Sequence, residues 1–275
     1  MISPMTIKTR NRLIIFFAFV SLFLLVGMGI LFLISLLSNN IFKPVEHNIT
    51  FLQNFILTKF NFFSIVISIF VLLIYVFFTF LYINYEFEKT QSTEVIYFSL
   101  FLIGCLTESF RLFIPCLNLW DSFSQYVSIC SRIVFFGKLL IPFSFVFMST
   151  CNGVEYRQDV ERNISILIIS AAIIACIIPL NSNNILPLCF IEFGYFNIFL
   201  ILWITLILVT LISLFRNDYI SDSKTKMPLG FFLISIGYLT LCFTVNYLLL
   251  SIGTILIISG TLIYLRALHK QYLWD

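Results

Sequence analysis

Long apolar runs follow one another along this chain with little between them, and no water-soluble fold covers that much hydrocarbon surface. A helix that crosses a ~30 Å hydrocarbon layer needs ~17–25 mostly apolar residues. Eight segments meet that length: Leu13–Leu37, Phe62–Ile83, Val95–Cys116, Tyr126–Met148, Ile164–Leu180, Tyr195–Phe215, Leu229–Val245 and Leu248–Leu265. Only 11% of the residues are charged, against roughly 25% in an ordinary soluble domain. The mean hydropathy is +1.06. The expected fold class is therefore all-α, a polytopic transmembrane helical bundle of about eight spans.

The last two segments form one stretch from Leu229 to Leu265, too long for a single crossing even with strong tilt. A turn at Asn246 and Tyr247 resolves it, because Asn tolerates turn conformations and Tyr suits the headgroup level. Seven spans with one bent final helix is the competing count.

Orientation follows from basic residues near span ends, since positively charged loops stay in the cytoplasm. With eight spans, Lys8, Arg10, Arg12, Lys89, Arg157, Arg162, Arg216, Lys224, Lys226, Arg266 and Lys270 fall on one side, and only Lys43 and Lys59 on the other. Both termini are thus expected in the cytoplasm, in a plasma or bacterial inner membrane. Tyr82, Tyr85, Tyr97 and Tyr264 fit the inner interface, and Trp120, Tyr126, Tyr195 and Tyr247 the outer one. The first run exceeds the 7–15-residue core of a cleaved signal peptide and lacks a small-residue cleavage site. Residues 1–37 accordingly read as a basic tail and signal-anchor helix, 38–61 as an outward-facing segment, and 62–275 as a membrane domain of about seven further spans.

The connectors are too short for a soluble domain. Those around Asn118–Gln125 and Asn181–Gly194 are rich in Asn and Ser, and Glu86–Glu94, Cys151–Asn163 and Arg216–Pro228 mix both charges. The glycosylation sequon at Asn48-Ile49-Thr50 has a counterpart at Asn163-Ile164-Ser165 on the expected cytoplasmic side, where it would not be used. The seven cysteines lack paired metal-ligand spacing and suit small apolar helix positions; Cys116 and Cys189, near the outer surface, are a candidate disulfide. Gly230 and Gly237, like Gly253 and Gly260, lie two helical turns apart on one face, as small residues do where helices approach closely. Ala171, Ala172 and Ala175 can serve likewise. Spans one and two are nearly pure Phe, Ile, Leu and Val, which suits a lipid-facing position.

Four charged residues lie inside spans: Glu108 and Arg111 in the third, Arg132 and Lys138 in the fourth. Ionisable groups there are expensive and mark function by default. At ~1.5 Å per residue, Arg111 lies ~7 Å, Arg132 ~9 Å, Glu108 ~12 Å and Lys138 ~18 Å from the outer helix ends. Glu108 and Arg111, three apart, share a face, and Lys138 on the antiparallel neighbour is within a stem's length of Glu108. One carboxylate cannot balance three cations, so an anionic lipid headgroup or small molecule is the expected ligand of this seam, held by the two arginines. Against this, both arginines are near enough to the outer interface to snorkel, and Glu108 with Lys138 can serve as a buried structural pair.

Nothing in the chain spells out catalysis. His47 and His269 fall on opposite sides, no nucleophile–base motif, phosphate loop or HExxH helix is present, and the late spans lack the Lys that retinal would need; no cofactor or metal is expected. No internal repeat of the kind that marks many transporters is visible. Counted from Phe62, seven helices that start outside and end inside resemble, in layout and in no residue motif, the membrane part of bacterial seven-helix receptors. That resemblance implies output through a partner protein, since only Arg266–Asp275 follows the last span. The leading expectation is a non-enzymatic sensor or accessory subunit that engages a lipid or anionic small molecule between spans three and four. A secondary transporter using Glu108 or Lys138, and an enzyme on lipid-linked substrates, follow in that order. Partners are the bilayer and another membrane or cytoplasmic protein, with no nucleic acid.

Overall fold

The computed structural model describes residues 7–38, 61–90, 92–120, 125–151, 160–186, 188–217 and 226–274. Eight helices account for most of them: α1 (Ile7–Leu37), α2 (Phe62–Glu86), α3 (Thr93–Cys116), α4 (Gln125–Cys151), α5 (Val160–Ile177), α6 (Phe196–Asn217), α7 (Lys226–Cys242) and α8 (Tyr247–Trp274). Seven are long and apolar enough to cross a membrane, and α7 is a shorter apolar helix of 17 residues. The chain is a multi-pass membrane protein built as an all-α bundle. Most of the outward segment, with His47 and the Asn48 sequon, lies outside the described residues, as do Arg157 and Lys224.

Two ends of the bundle are defined by contacts. At one, Arg10 of α1 donates to the carbonyls of Phe87 at 2.5 Å and Thr90 at 2.6 Å, Tyr272 of α8 donates to Glu94 at 2.5 Å, and His269 lies 3.6 Å from Glu86. Both terminal helices thus meet the α2–α3 connector. At the other end the Asn61 N–H donates to the Val245 carbonyl and Ser35 to that of Cys116. Head and tail at one end is what an even number of crossings gives.

The break between α7 and α8 falls where Asn246 was expected to turn the chain. Its side chain caps α8 by accepting from the Leu249 N–H at 2.8 Å, satisfying an orphan donor of the first turn. The two helices then run back along each other on their glycines. A Cβ on Gly230 would stand 2.7 Å from the Tyr264 nitrogen, and one on Gly260 would stand 2.8 Å from the Gly230 carbonyl oxygen. A second close approach was not anticipated: a Cβ on Gly137 of α4 would come within 2.7 Å of the Gly104 carbonyl of α3. These small residues substitute for the hydrophobic drive that helices lack in lipid. Around them Phe101 stacks on Phe145 at 4.9 Å, and Phe145 meets Phe231 edge-on at 4.6 Å, joining α3, α4 and α7.

Several expectations are corrected. Span two does not face lipid throughout: α2 is 61% buried over its most apolar window, whereas α1 is 22% buried. Apolar composition alone does not separate lipid-facing from bundle-facing helices. Tyr97 and Tyr264, expected at the inner interface, are wholly buried within the bundle, stacked on Phe147 and Phe98. Cys116 and Cys189 are free thiols in one apolar cluster, with no disulfide between them.

The connector between α5 and α6 is a structured hairpin. Strands β1 (Leu180–Leu186) and β2 (Phe190–Phe193) pair antiparallel with Leu186 opposite Phe190, and a bulge lies between Asn181 and Ile185. Cys189, at φ 62°, turns the chain into β2, and Phe190, Ile191 and Phe193 are buried. The Ile191 N–H donates to the Ser131 hydroxyl of α4 at 3.1 Å.

Gly137→Val is expected to destabilise the purified protein by about 1–3 kcal/mol, the usual cost of overpacking, while Gly27→Val, where a Cβ meets nothing within 4 Å, leaves stability unchanged. Unfolding in detergent, followed by thermal or denaturant titration, checks both.

Candidate functional site

Residues Glu108–Leu112 in α3 form a 3₁₀ segment. A 3₁₀ helix has three residues per turn, so side chains at i and i+3 eclipse, and Glu108 and Arg111 stand directly in line. Arg111 Nη1 contacts Glu108 Oε2 at 3.1 Å, with both side chains fully buried. The second carboxylate oxygen accepts from the Tyr238 hydroxyl of α7 at 2.9 Å and lies 3.5 Å from Cys242 Sγ. Arg111 donates from Nε to the Leu188 carbonyl at 2.8 Å and from Nη1 to the Cys242 carbonyl at 3.4 Å. Its Nη2 is buried with no hydrogen-bond partner among the described residues. One ion pair thereby joins α3, α7 and the hairpin.

Lys138 is placed by α4. Gly137 before it lets α3 approach, and Pro142, four residues on, has no N–H to return to the Lys138 carbonyl, which interrupts the helical ladder one turn away. The side chain is only 6% exposed. It does not ion-pair directly with Glu108, as the sequence had suggested. Its Nζ sits 3.9 Å from the centroid of the Phe190 ring, with Phe243 at 5.5 Å and Phe193 at 5.9 Å. The Arg111 guanidinium lies 5.5 Å over the same Phe190 ring. Ring faces attract cations, so Phe190 holds two positive groups that repel each other. Both also attract Glu108 through space.

Arg132 does not belong to this group. Its Nη1 donates to the Ala175 carbonyl at 3.0 Å and to that of Cys176, the last turn of α5, where carbonyls are left without helical partners. The outcome differs for the two arginines: neither snorkels away from protein contacts, but Arg111 is a core residue and Arg132 ties α4 to α5.

Beside Lys138 the bundle contains a cavity of about 340 Å³ between α4, α6, α7, the start of α8 and β2. Its walls are almost wholly apolar, with Trp203, Phe193, Phe199 and Phe243 prominent and Tyr238 linking it to Glu108. Leu200 and Ile204 of α6, 38% and 44% exposed, stand at its rim, so the cavity faces the apolar surroundings of the bundle. Among the described residues no three of His, Cys, Asp or Glu come together to hold a metal ion.

Of the four charged residues expected to act together, the structure gathers Glu108, Arg111 and Lys138 and places Arg132 elsewhere. Tyr238, Trp203, Cys242 and the Phe190/Phe193 pair complete the site without having been singled out. Tyr238 alone carried a readable signal, as a hydroxyl in the middle of a membrane helix. No protein-family model, curated protein or solved structure matches the chain.

Glu108→Gln removes the charge that answers two buried cations and is expected to lower unfolding stability in detergent by about 3–5 kcal/mol. Tyr238→Phe, which strips one hydrogen bond from an ionised group, is expected to lower it by about 1.5–3 kcal/mol. Equal stability of all three proteins contradicts this geometry.

Proposed function

We propose that the chain is a non-enzymatic sensor or accessory subunit that holds a lipid or anionic small molecule in the cavity beside Lys138. One observation carries the reading: an ammonium group lies at the wall of an apolar cavity with no carboxylate within ion-pair range among the described residues. Ligand sites are commonly apolar hollows of ~300–1,000 Å³ with few polar groups that fix orientation. A buried cation that no carboxylate contacts directly is costly, and a bound anion offsets that cost. The site so proposed is wider than the seam between α3 and α4, because α6, α7 and β2 supply most of its wall.

The same proposal places the end that carries both terminal helices in the cytoplasm, in a plasma or bacterial inner membrane. The excess of Lys and Arg toward that end supports it. The buried ion pair favours binding over transport, since Glu108 is held by Arg111, Tyr238 and Cys242 and is screened from the cavity by the latter two. With the termini at that end, a signal would leave through a partner that reads the α2–α3 connector, α1 and α8 together.

Protein purified in mild detergent is expected to retain a bound amphiphile, detected by native mass spectrometry. Leu239→Trp, which puts an indole into the cavity, is expected to lose it. Wild-type protein that carries nothing through several gentle detergents contradicts the proposal.

A further inference from the structure

Resting on the reading of this cavity as a ligand site, we infer that its ligand is a single-chain amphiphile with one negative charge, a long-chain carboxylate, seated with its head on Lys138 and its tail leaving between Leu200 and Ile204. Charge comes first. With Glu108 ionised and Arg111 and Lys138 protonated, the buried cluster sums to one positive charge (two cations less one carboxylate), and Arg132, spent on the α5 carbonyls, adds nothing here. A monoanion brings the sum to zero, whereas a phosphate monoester, at about −1.5 to −2 near neutral pH, overshoots it.

Donor supply narrows the head group further. The polar groups of the wall belong to Lys138, Tyr238, Thr240, Cys242 and the Trp203 indole N–H. The Tyr238 hydroxyl is committed to Glu108, the Thr240 hydroxyl to the Gly237 carbonyl, and the Cys242 thiol to Glu108. The Lys138 ammonium, one of whose faces rests on Phe190, has donors left, and the Trp203 indole adds a single N–H. Two carboxylate oxygens can be satisfied by that ammonium. A phosphodiester head, with its ester oxygens and polar substituent, would leave acceptors or hydroxyls buried in a hydrocarbon wall, at a penalty of ~1–3 kcal/mol for each unmade bond.

The tail follows from shape. A volume of about 340 Å³ is at the small end for ligand sites, which suits one chain better than two. Its apolar wall passes Trp203, and its rim at Leu200 and Ile204 opens toward lipid, so a chain longer than the cavity continues into the hydrocarbon layer with nothing polar in its way.

Trp203 provides the readout. Bromine quenches indole fluorescence at short range, so the purified protein is titrated in detergent with 9,10-dibromostearate, with the dibrominated C18 alcohol and with phosphatidylglycerol brominated on one chain. Saturable quenching by the carboxylate is expected, at least 10-fold tighter than by the alcohol and the phosphodiester, and lost in Trp203→Phe. Lys138→Gln is expected to bring carboxylate and alcohol within about 3-fold of each other. Lys138→Arg, which keeps the charge, is expected to preserve the preference, and it stands in if the Gln variant does not fold. Equal quenching by the alcohol, or tighter quenching by phosphatidylglycerol, overturns the inference while leaving a ligand site in place. No Trp203-dependent quenching by any of the three overturns the inference and the ligand-site reading together.

Discussion

An ionised carboxylate at full burial in a membrane bundle must be answered within bonding distance, and Glu108 is answered from α3, α7 and, through Arg111, the β1–β2 hairpin. Burying either member of such a pair alone costs several kcal/mol, so the elements that carry the partners are held to a narrow range of positions. The 3₁₀ turn is the local device that makes this possible. With 3.6 residues per turn Glu108 and Arg111 would be offset around the helix; with three they stack, and Arg111 points toward Leu188 and Cys242 while still reaching its carboxylate.

The position of the hairpin depends on the same constraint. Its backbone would be untenable in lipid, where every peptide group needs a partner, yet it takes a donor from Arg111 at Leu188 and gives one to Ser131 at Ile191. Once there, it presents Phe190 and Phe193 to Lys138. The aromatic seat of Lys138 beside the cavity therefore depends on the same ion pair. Without Arg111 the hairpin loses one of its ties to the bundle, and without the hairpin Lys138 keeps Phe243 alone of the three rings around it.

Much of this was legible from residue types and spacing, and the limits are physical. Hydropathy sets the number of crossings, and a basic residue or carboxylate inside an apolar run is conspicuous because so few are tolerated there. Gly230, Gly237, Gly253 and Gly260 were readable because pairs at helical spacing announce a close face, whereas Gly104 and Gly137 are single glycines on separate helices whose pairing is purely tertiary. The contacts of Arg132 were not legible for a related reason: its partners are main-chain carbonyls at the end of α5, and backbone acceptors leave no mark in a sequence. Phe190 and Phe193 were hidden among 34 phenylalanines, inside a segment whose Asn and Ser read as a loop. Tyr97 and Tyr264 look like headgroup anchors at the ends of their spans, and only the packing of neighbouring rings shows that protein, not lipid, surrounds their side chains.

Glu108 and Arg111 act as one buried unit, to which Lys138 is attached only through space. A double-mutant cycle in reversible detergent unfolding measures this directly, using Glu108→Gln with Arg111→Met, and Glu108→Gln with Lys138→Met. The predicted result is a coupling of at least ~1.5 kcal/mol for the Glu108–Arg111 pair, within the usual range for residues in contact, and a smaller one for Glu108 with Lys138. Additivity of the Glu108 and Arg111 substitutions to within ~0.5 kcal/mol would contradict the account.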